Sequence, residues 1–245
     1  MAWCCFLCAL LGLPIALILL VFALDSVGLW RPLNDRIMPY MNAHISKSYN
    51  KKMESVKQEL FKDISKSSVD GKLTILEIGV GGGANFCFYP PGTEVICAEP
   101  NPHFDKFLKK SASIYPNVSI RDWLVTGAEQ LPTLKDGSCD VVVCTLVLCG
   151  VKNIDMVIKE THRVLRPGGV FYILEHVAAP SGSWLLYLQR LITPFWSAAF
   201  CGCCLTRDPW QNIQDVGFTE VDIRHFSAPL NWLLIRPHIV GHARK

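Results

Sequence analysis

The chain has 245 residues, half of them hydrophobic, and a formal net charge of only +3. That length suits one α/β domain with an appendage, and a near-neutral balance without a long basic run argues against nucleic acid as a partner. The eleven cysteines are not arranged as a disulfide framework. Cys97, Cys139 and Cys144 lie in or beside strand-like apolar runs, where a reduced thiol packs as a small hydrophobe.

Ala2–Leu24 contains no charged side chain. As a helix it would span about 34 Å, enough for a hydrocarbon core of roughly 30 Å. A secretory signal, with Ala23 before a cleavage site, is the competing reading; the run is longer than a signal core and no Lys or Arg precedes it. An N-terminal hydrophobic membrane helix within residues 1–30 is therefore expected. Arg31, Arg36, Lys47, Lys51 and Lys52 all follow the run, which keeps the main domain on the cytosolic side. Pro14 leaves a full span and a kinked, monotopic insertion both open. Cys4, Cys5 and Cys8 admit either palmitoylation or apolar packing.

Residues 31–70 read as a helical connector. Ile37, Met41, Ile45, Met53, Val56, Leu60, Phe61 and Ile64 recur at mostly helical spacing, so packing of this segment over the following domain is expected.

Residues 71–245 repeat the pattern of strand, glycine-bearing loop and helix. The first strand, Leu73–Ile78, runs into Glu77-Ile78-Gly79-Val80-Gly81-Gly82-Gly83-Ala84-Asn85-Phe86. Glycines belong where backbone must turn sharply and lie close to a ligand. The second strand, Glu94–Ala98, ends in Glu99, twenty residues after Gly79, where an acid can accept both hydroxyls of an adenosine ribose. A third strand is predicted over Val118–Val125, then the loop Gly127-Ala128-Glu129-Gln130-Leu131-Pro132, and after Asp136-Gly137 a strand over Cys139–Leu146. Helix Ile154–Leu165 stops at Arg166-Pro167-Gly168-Gly169 and strand Val170–Val177 follows, a helix breaker with permissive glycines making the stop. This alternation predicts a doubly wound, mostly parallel sheet with ligands at the C-terminal strand ends. Gly79, Gly81 and Ala84 also fit dinucleotide spacing, so on local pattern a dehydrogenase stays open.

The ordered set Glu77-x-Gly79-x-Gly81-x-Gly83, Glu99, Gly127–Pro132 and Val164-Leu165-Arg166-Pro167-Gly168-Gly169 resembles class I methyltransferases. More narrowly, Gly83-Ala84-Asn85-Phe86, Phe88-Tyr89-Pro90-Pro91-Gly92, Cys144-Thr145-Leu146-Val147-Leu148-Cys149, Glu175-His176-Val177 and Arg236-Pro237-His238-Ile239 resemble the methyltransferase-like protein 7 family of thiol S-methyltransferases. The resemblance covers nearly the whole chain. It implies a seven-stranded class I fold, S-adenosylmethionine as methyl donor, small lipophilic thiols as acceptors, and endoplasmic-reticulum or lipid-droplet membranes. It places Glu77, Gly79, Gly81 and Gly83 at the methionine side of the cofactor and Glu99, followed by Pro100 and Asn101, at the ribose. Gly127, Ala128 and Glu129 would border adenine, and Thr145 and Leu146 the sulfonium. This chain departs from the family loop at Val80 and Gly82, where Cys and Thr are usual, and has Glu99 where Asp is common. The Gly82 departure keeps a weakly active scaffold as an alternative, alongside methylation of a lipid or quinone-like acceptor.

His176, near the end of the fifth strand, is the expected catalytic residue, as base or orienting group. Neighbouring strand residues face opposite sides, so Glu175 is not expected in the same pocket. Cys149 is expected to pack in the core, since direct transfer needs no covalent enzyme intermediate. Trp184–Phe200, interrupted by Arg190 and Pro194, is expected to cover the acceptor pocket or dip towards a bilayer. Cys201-Gly202-Cys203-Cys204 looks like half a metal site, and with no second pair nearby in sequence no metal is expected. Nor is an obligate protein partner.

Overall fold

The structure, a computed structural model, describes residues 20–68 and 71–245. Most of Ala2–Leu24, which carries the membrane-helix expectation, lies outside them. No helix among the described residues is long and apolar enough to cross a membrane.

Seven strands form one sheet in the order β3-β2-β1-β4-β5-β7-β6. They are β1 (Leu73–Ile78), β2 (Thr93–Ala98), β3 (Val118–Leu124), β4 (Cys139–Thr145), β5 (Leu165–His176), β6 (Glu220–Ser227) and β7 (Pro237–Arg244). The first five pair in parallel, and β7 runs antiparallel to both β5 and β6. This is the mostly parallel, doubly wound sheet that the alternation of strands and helices predicts, with the seven strands that the family resemblance implies. The order reverses between β1 and β4, where a parallel sheet opens a crevice at its C-terminal edge.

Central strands are apolar on both faces because both are covered. Ile75, Val95, Val141 and Val143 pack on one side; Leu76, Ile96, Val142 and Phe171 pack on the other. Each such side chain contributes about 1.5–3 kcal/mol when fully buried. Helices α1 (Trp30–Phe61) and α2 (Asp105–Ile114) cover the first face, α3 (Ile154–Val164) and α5 (Trp210–Asp215) the second. α4 (Trp184–Ala199) follows β5. At its start the side chain of Ser183 accepts from Leu186 N, one of the donors a helix start leaves unpaired.

The long helix α1 occupies most of the segment 31–70 that reads as a helical connector. Its second half packs on the sheet through Tyr49, Met53, Leu60 and Phe61, which lie one or two turns apart along one face. Its first half is tied down at both sides of the strand ends. Trp30 Nε1 donates to Ala198 O at 2.7 Å, and Asn101 Nδ2 donates to Asp35 O at 2.8 Å. The helix therefore bridges the end of α4 and the turn after β2, roofing the crevice with Met38 and Asn42.

Candidate active site

A cleft of about 660 Å3 lies at the C-terminal ends of β1, β2 and β4, within the size range of small-molecule sites. Of the residues expected at a cofactor, Gly79, Gly81, Glu99, Pro100, Gly127, Ala128, Glu129 and Leu146 line it. Four others are placed elsewhere. Glu77 and Thr145 line a smaller adjoining cavity of about 120 Å3 that shares Gly79, Gly81 and Leu146 with the cleft. Gly83 turns to the far side of the loop, where its carbonyl accepts from Ser111 Oγ of α2 at 3.1 Å. Asn101 caps the turn after β2 by accepting from His103 N, and its amide holds α1.

The glycine loop is shaped by what it must avoid. Gly79 has φ +61°, and a Cβ there would overlap the Val147 side chain, so backbone alone fits against the end of β4. Gly82 has an ordinary φ, and its Cβ would face Phe107 of α2 at 3.6 Å. It lines a cavity behind the loop, not the cleft. The departure from the family's Thr thus removes a side chain from the back of the loop.

Glu99 is buried at the cleft wall. Its Oε2 accepts from Gly81 N at 3.1 Å and its Oε1 from Asn101 N at 3.0 Å. Burial raises its pKa, while the two N–H groups pull it down. A carboxylate has about four lone-pair sites, so capacity is left for a ribose diol. The carboxylate, the Cβ-free approach at Gly79 and the cleft's size fit S-adenosylmethionine.

Beneath the loop lies a buried polar network. Asn85 Nδ2 and Tyr89 OH each donate to Glu77 at 2.8 Å, and Asn85 also reaches Thr145 Oγ1 at 3.0 Å. Lys57 Nζ donates to Asn85 Oδ1 and Asn50 Oδ1, both at 2.7 Å. Burial pushes the Glu77 carboxyl up to about 7 and the Lys57 ammonium down to about 8. Glu77 thus sets the loop's foundation from below. Lys57 gave no signal in sequence, because a lysine on an amphipathic helix ordinarily faces solvent.

The other end of the cleft is built from β4, β5 and the loop after α4. Leu146 has φ +58°, a region costing a non-glycine residue about 1–2 kcal/mol. It is held by its N–H on Leu174 O at 2.9 Å. The next two N–H groups, of Val147 and Leu148, donate to Glu175 Oε1 at 2.7 and 3.1 Å. Burial raises the Glu175 pKa against the pull of those two donors. Glu175 therefore aims the β4 loop, and His176 points elsewhere, as strand alternation requires.

His176 is buried and does not line the cleft. Its Nε2 lies 3.1 Å from Cys203 Sγ, and Cys203, with Cys149, does line the cleft. Ligand-type atoms of Cys149, His176 and Cys203 lie within 4.8 Å of one another. Trp196 Nε1 donates to Cys203 Sγ at 3.3 Å, and Cys204 N donates to Cys149 O at 2.8 Å, tying the two loops together. The Cys203 thiol is held well below its usual range, first by the Cys149 thiol and then by His176 and Trp196, against burial. Burial disfavours a charged His176, yet the Cys203 sulfur and Glu175 more than offset it and its pKa is raised. His176, expected to act on an acceptor directly, meets the cleft through Cys203. Cys149 is buried, as expected of a core residue, but at the site. The sequence signal was the Cys201–Cys204 cluster; its partners are far away in the chain and only the fold supplies them.

Residues 76–173 match the family model described as a methyltransferase domain. Human thiol S-methyltransferase TMT1B is 45% identical over 96% of this chain and 95% of its own length, and human thiol S-methyltransferase TMT1A is 44% identical over 91% of each. Among solved structures, the [4+2]-cyclase SpnF superposes with a TM-score of 0.63 over 87% of this chain and 94% of its own, at 15% identity. That likeness shows the fold alone. Relatives this similar over nearly their full length decide the family: the chain is an S-adenosylmethionine-dependent class I methyltransferase and belongs to the thiol S-methyltransferase family.

Proposed function

We propose that the chain methylates the sulfur of small lipophilic thiols. The observation that carries this reading is the sulfur-rich end of the cleft, where Cys149 and Cys203 lie beside Leu146 and Val147. The two human relatives, named as thiol S-methyltransferases, support it. Glu99 and the N–H of Gly81 orient the ribose end of the donor, and the Gly79 backbone lets it lie against β4. Leu146 and Val147 form the wall nearest the reacting atoms, and the roof of Met38 and Asn42 limits water. When bound, S-adenosylmethionine supplies a methyl carbon on a sulfonium: the acceptor sulfur bonds that carbon while the carbon–sulfonium bond breaks, its electron pair staying on the departing thioether sulfur. A free thiol has a pKa of about 8.5 and is only a few per cent thiolate near neutral pH, so the acceptor end must favour the thiolate.

We further propose that the reaction takes place at a membrane surface, on the endoplasmic reticulum or lipid droplets, with the domain facing the cytosol. Trp184, Tyr187 and Leu191 are 65%, 64% and 68% exposed at one-turn spacing along α4. Phe22 stacks edge-on against Phe195 at 5.7 Å, which joins that face to the uncharged N-terminal run. An apolar face beside an apolar segment suits a bilayer interface, where lipophilic acceptors concentrate.

The test gives purified full-length protein in detergent labelled S-adenosylmethionine and a panel of alkyl thiols, phenols, quinols and amines. Transfer confined to thiols is expected. Transfer to phenols or quinols with thiols inert would replace the reading with a quinone-like acceptor.

A further inference from the structure

We infer that Cys149, His176 and Cys203 form a zinc site whose open fourth position takes the acceptor thiol; this rests on the thiol-acceptor reading above. The three donors come from separate elements: the loop after β4, the last residue of β5 and the loop after α4. Two thiols and an imidazole are the Cys2His set that catalytic zinc uses with one vertex free. Their ligand atoms already lie within 4.8 Å of one another. Zn–S bonds of about 2.3 Å and Zn–N bonds of about 2.0 Å place tetrahedral donors roughly 3.5–3.8 Å apart, so side-chain adjustments of about an ångström or less close the site. The loops are pre-set for this by the Cys204 N–H on Cys149 O and the Cys203 N–H on Phe200 O at 2.9 Å.

The direction of the open vertex follows from the lining. Cys149 and Cys203 border the cleft and His176 stands behind them, so a fourth ligand enters from the cleft. An acceptor thiol binding there loses its S–H proton to solvent as its sulfur joins the ion. The thiol is thereby ionised at neutral pH, as metal-bound acids are. Two protein thiolates already balance the ion's charge, so the bound acceptor sulfur keeps an excess of negative charge and stays nucleophilic. This gives one role to groups the fold gathers without another evident use: a buried imidazole and two thiols whose ligand atoms converge on one point.

The experiment is metal analysis of the full chain, expressed with zinc, carried on a tag without histidines and purified in detergent. Wild type is expected to hold about one zinc per chain, and Cys203→Ser and His176→Gln less than about a tenth of that, with Cys204→Ser unchanged. Cobalt in place of zinc should give wild type a thiolate-to-cobalt charge-transfer band that Cys203→Ser lacks. The band is read on wild type, so it stands even if a variant folds poorly. Wild type free of zinc and without the cobalt band, or Cys203→Ser holding as much zinc as wild type, would overturn the site. Neither readout uses an acceptor, so an acceptor panel without thiol transfer would remove the thiol reading and leave the zinc result standing.

Discussion

Along β1 and β2 the cleft wall is made by residues that are near neighbours in the chain. Gly79 and Gly81 belong to one tight loop, and Glu99 reaches back to it from the next strand end with a single 3.1 Å bond. Along β4 and β5 the wall depends on residues brought from afar: His176 and Cys203 are 27 positions apart, and Cys149 comes from a third element. The first end is a backbone cradle that binds by shape and one carboxylate. The second is a cluster of reactive side chains that the first cannot substitute for. On the proposed function, binding and reactivity are carried by separable parts, and each should be open to disturbance alone.

The largest effect is expected from Gly79→Ala. A Cβ there meets Val147 at a backbone angle suited to glycine; overpacking costs about 1–3 kcal/mol and the left-handed angle about 1–2 kcal/mol more. Donor binding should be lost and the melting temperature should fall, as calorimetric titration and thermal unfolding would register. Retained affinity would mean that the loop opens away from β4 when the donor binds.

A smaller effect concerns the charges beneath that loop. In the folded chain Glu77 keeps its proton up to about 7, whereas the unfolded value is 4.5. Between those values the folded state binds more protons, so stability should fall as pH rises from about 4.5 to about 7. Lys57 has the opposite sign at higher pH. Its folded value of about 8 lies below the ordinary 10.5, so stability should recover as pH rises between them. Denaturant unfolding across pH should show the first slope flattened in Glu77→Gln; an unchanged slope would assign it to other groups.

The smallest effect is expected from Gly82→Thr. The new side chain would face Phe107 behind the loop, and surface-type changes stay within about 0.5 kcal/mol. Donor affinity should change by less than about threefold. A large gain would show that the departure at this position has weakened the cradle.

The cradle was the legible part. Glycine spacing, the acid after the second strand and the helix end before the fifth are local signals that locate the strands. The Arg166–Gly169 stretch expected as a stop, however, lies within β5, which begins at Leu165 directly after the helix. The resemblance carries Glu77 and Asn101 to the cofactor, and the fold turns Glu77 to Asn85 and Tyr89 and Asn101 to His103 and Asp35. A motif match shows which strand end a residue occupies and not which way its side chain turns. The reactive end was legible only in pieces. His176 stood out by its strand-end position, but Cys203 could not be paired with it, since no local rule links a loop after α4 to the end of β5. Lys57 was invisible for a related reason: besides Asn50 on its own helix, its ammonium is met by Asn85 of the glycine loop, which only the fold brings to it.

The most direct test compares Glu99→Ala with Cys203→Ser, each measured for donor affinity by titration and for methyl transfer to an alkyl thiol by label. Glu99→Ala should weaken donor binding by about ten- to a hundredfold, the loss of a charged hydrogen bond worth about 1.5–3 kcal/mol. Cys203→Ser should keep wild-type donor affinity while transfer falls by about a hundredfold or more. Full transfer by Cys203→Ser, or a loss of donor affinity equal to that of Glu99→Ala, would contradict the division of the cleft into a binding end and a reactive end.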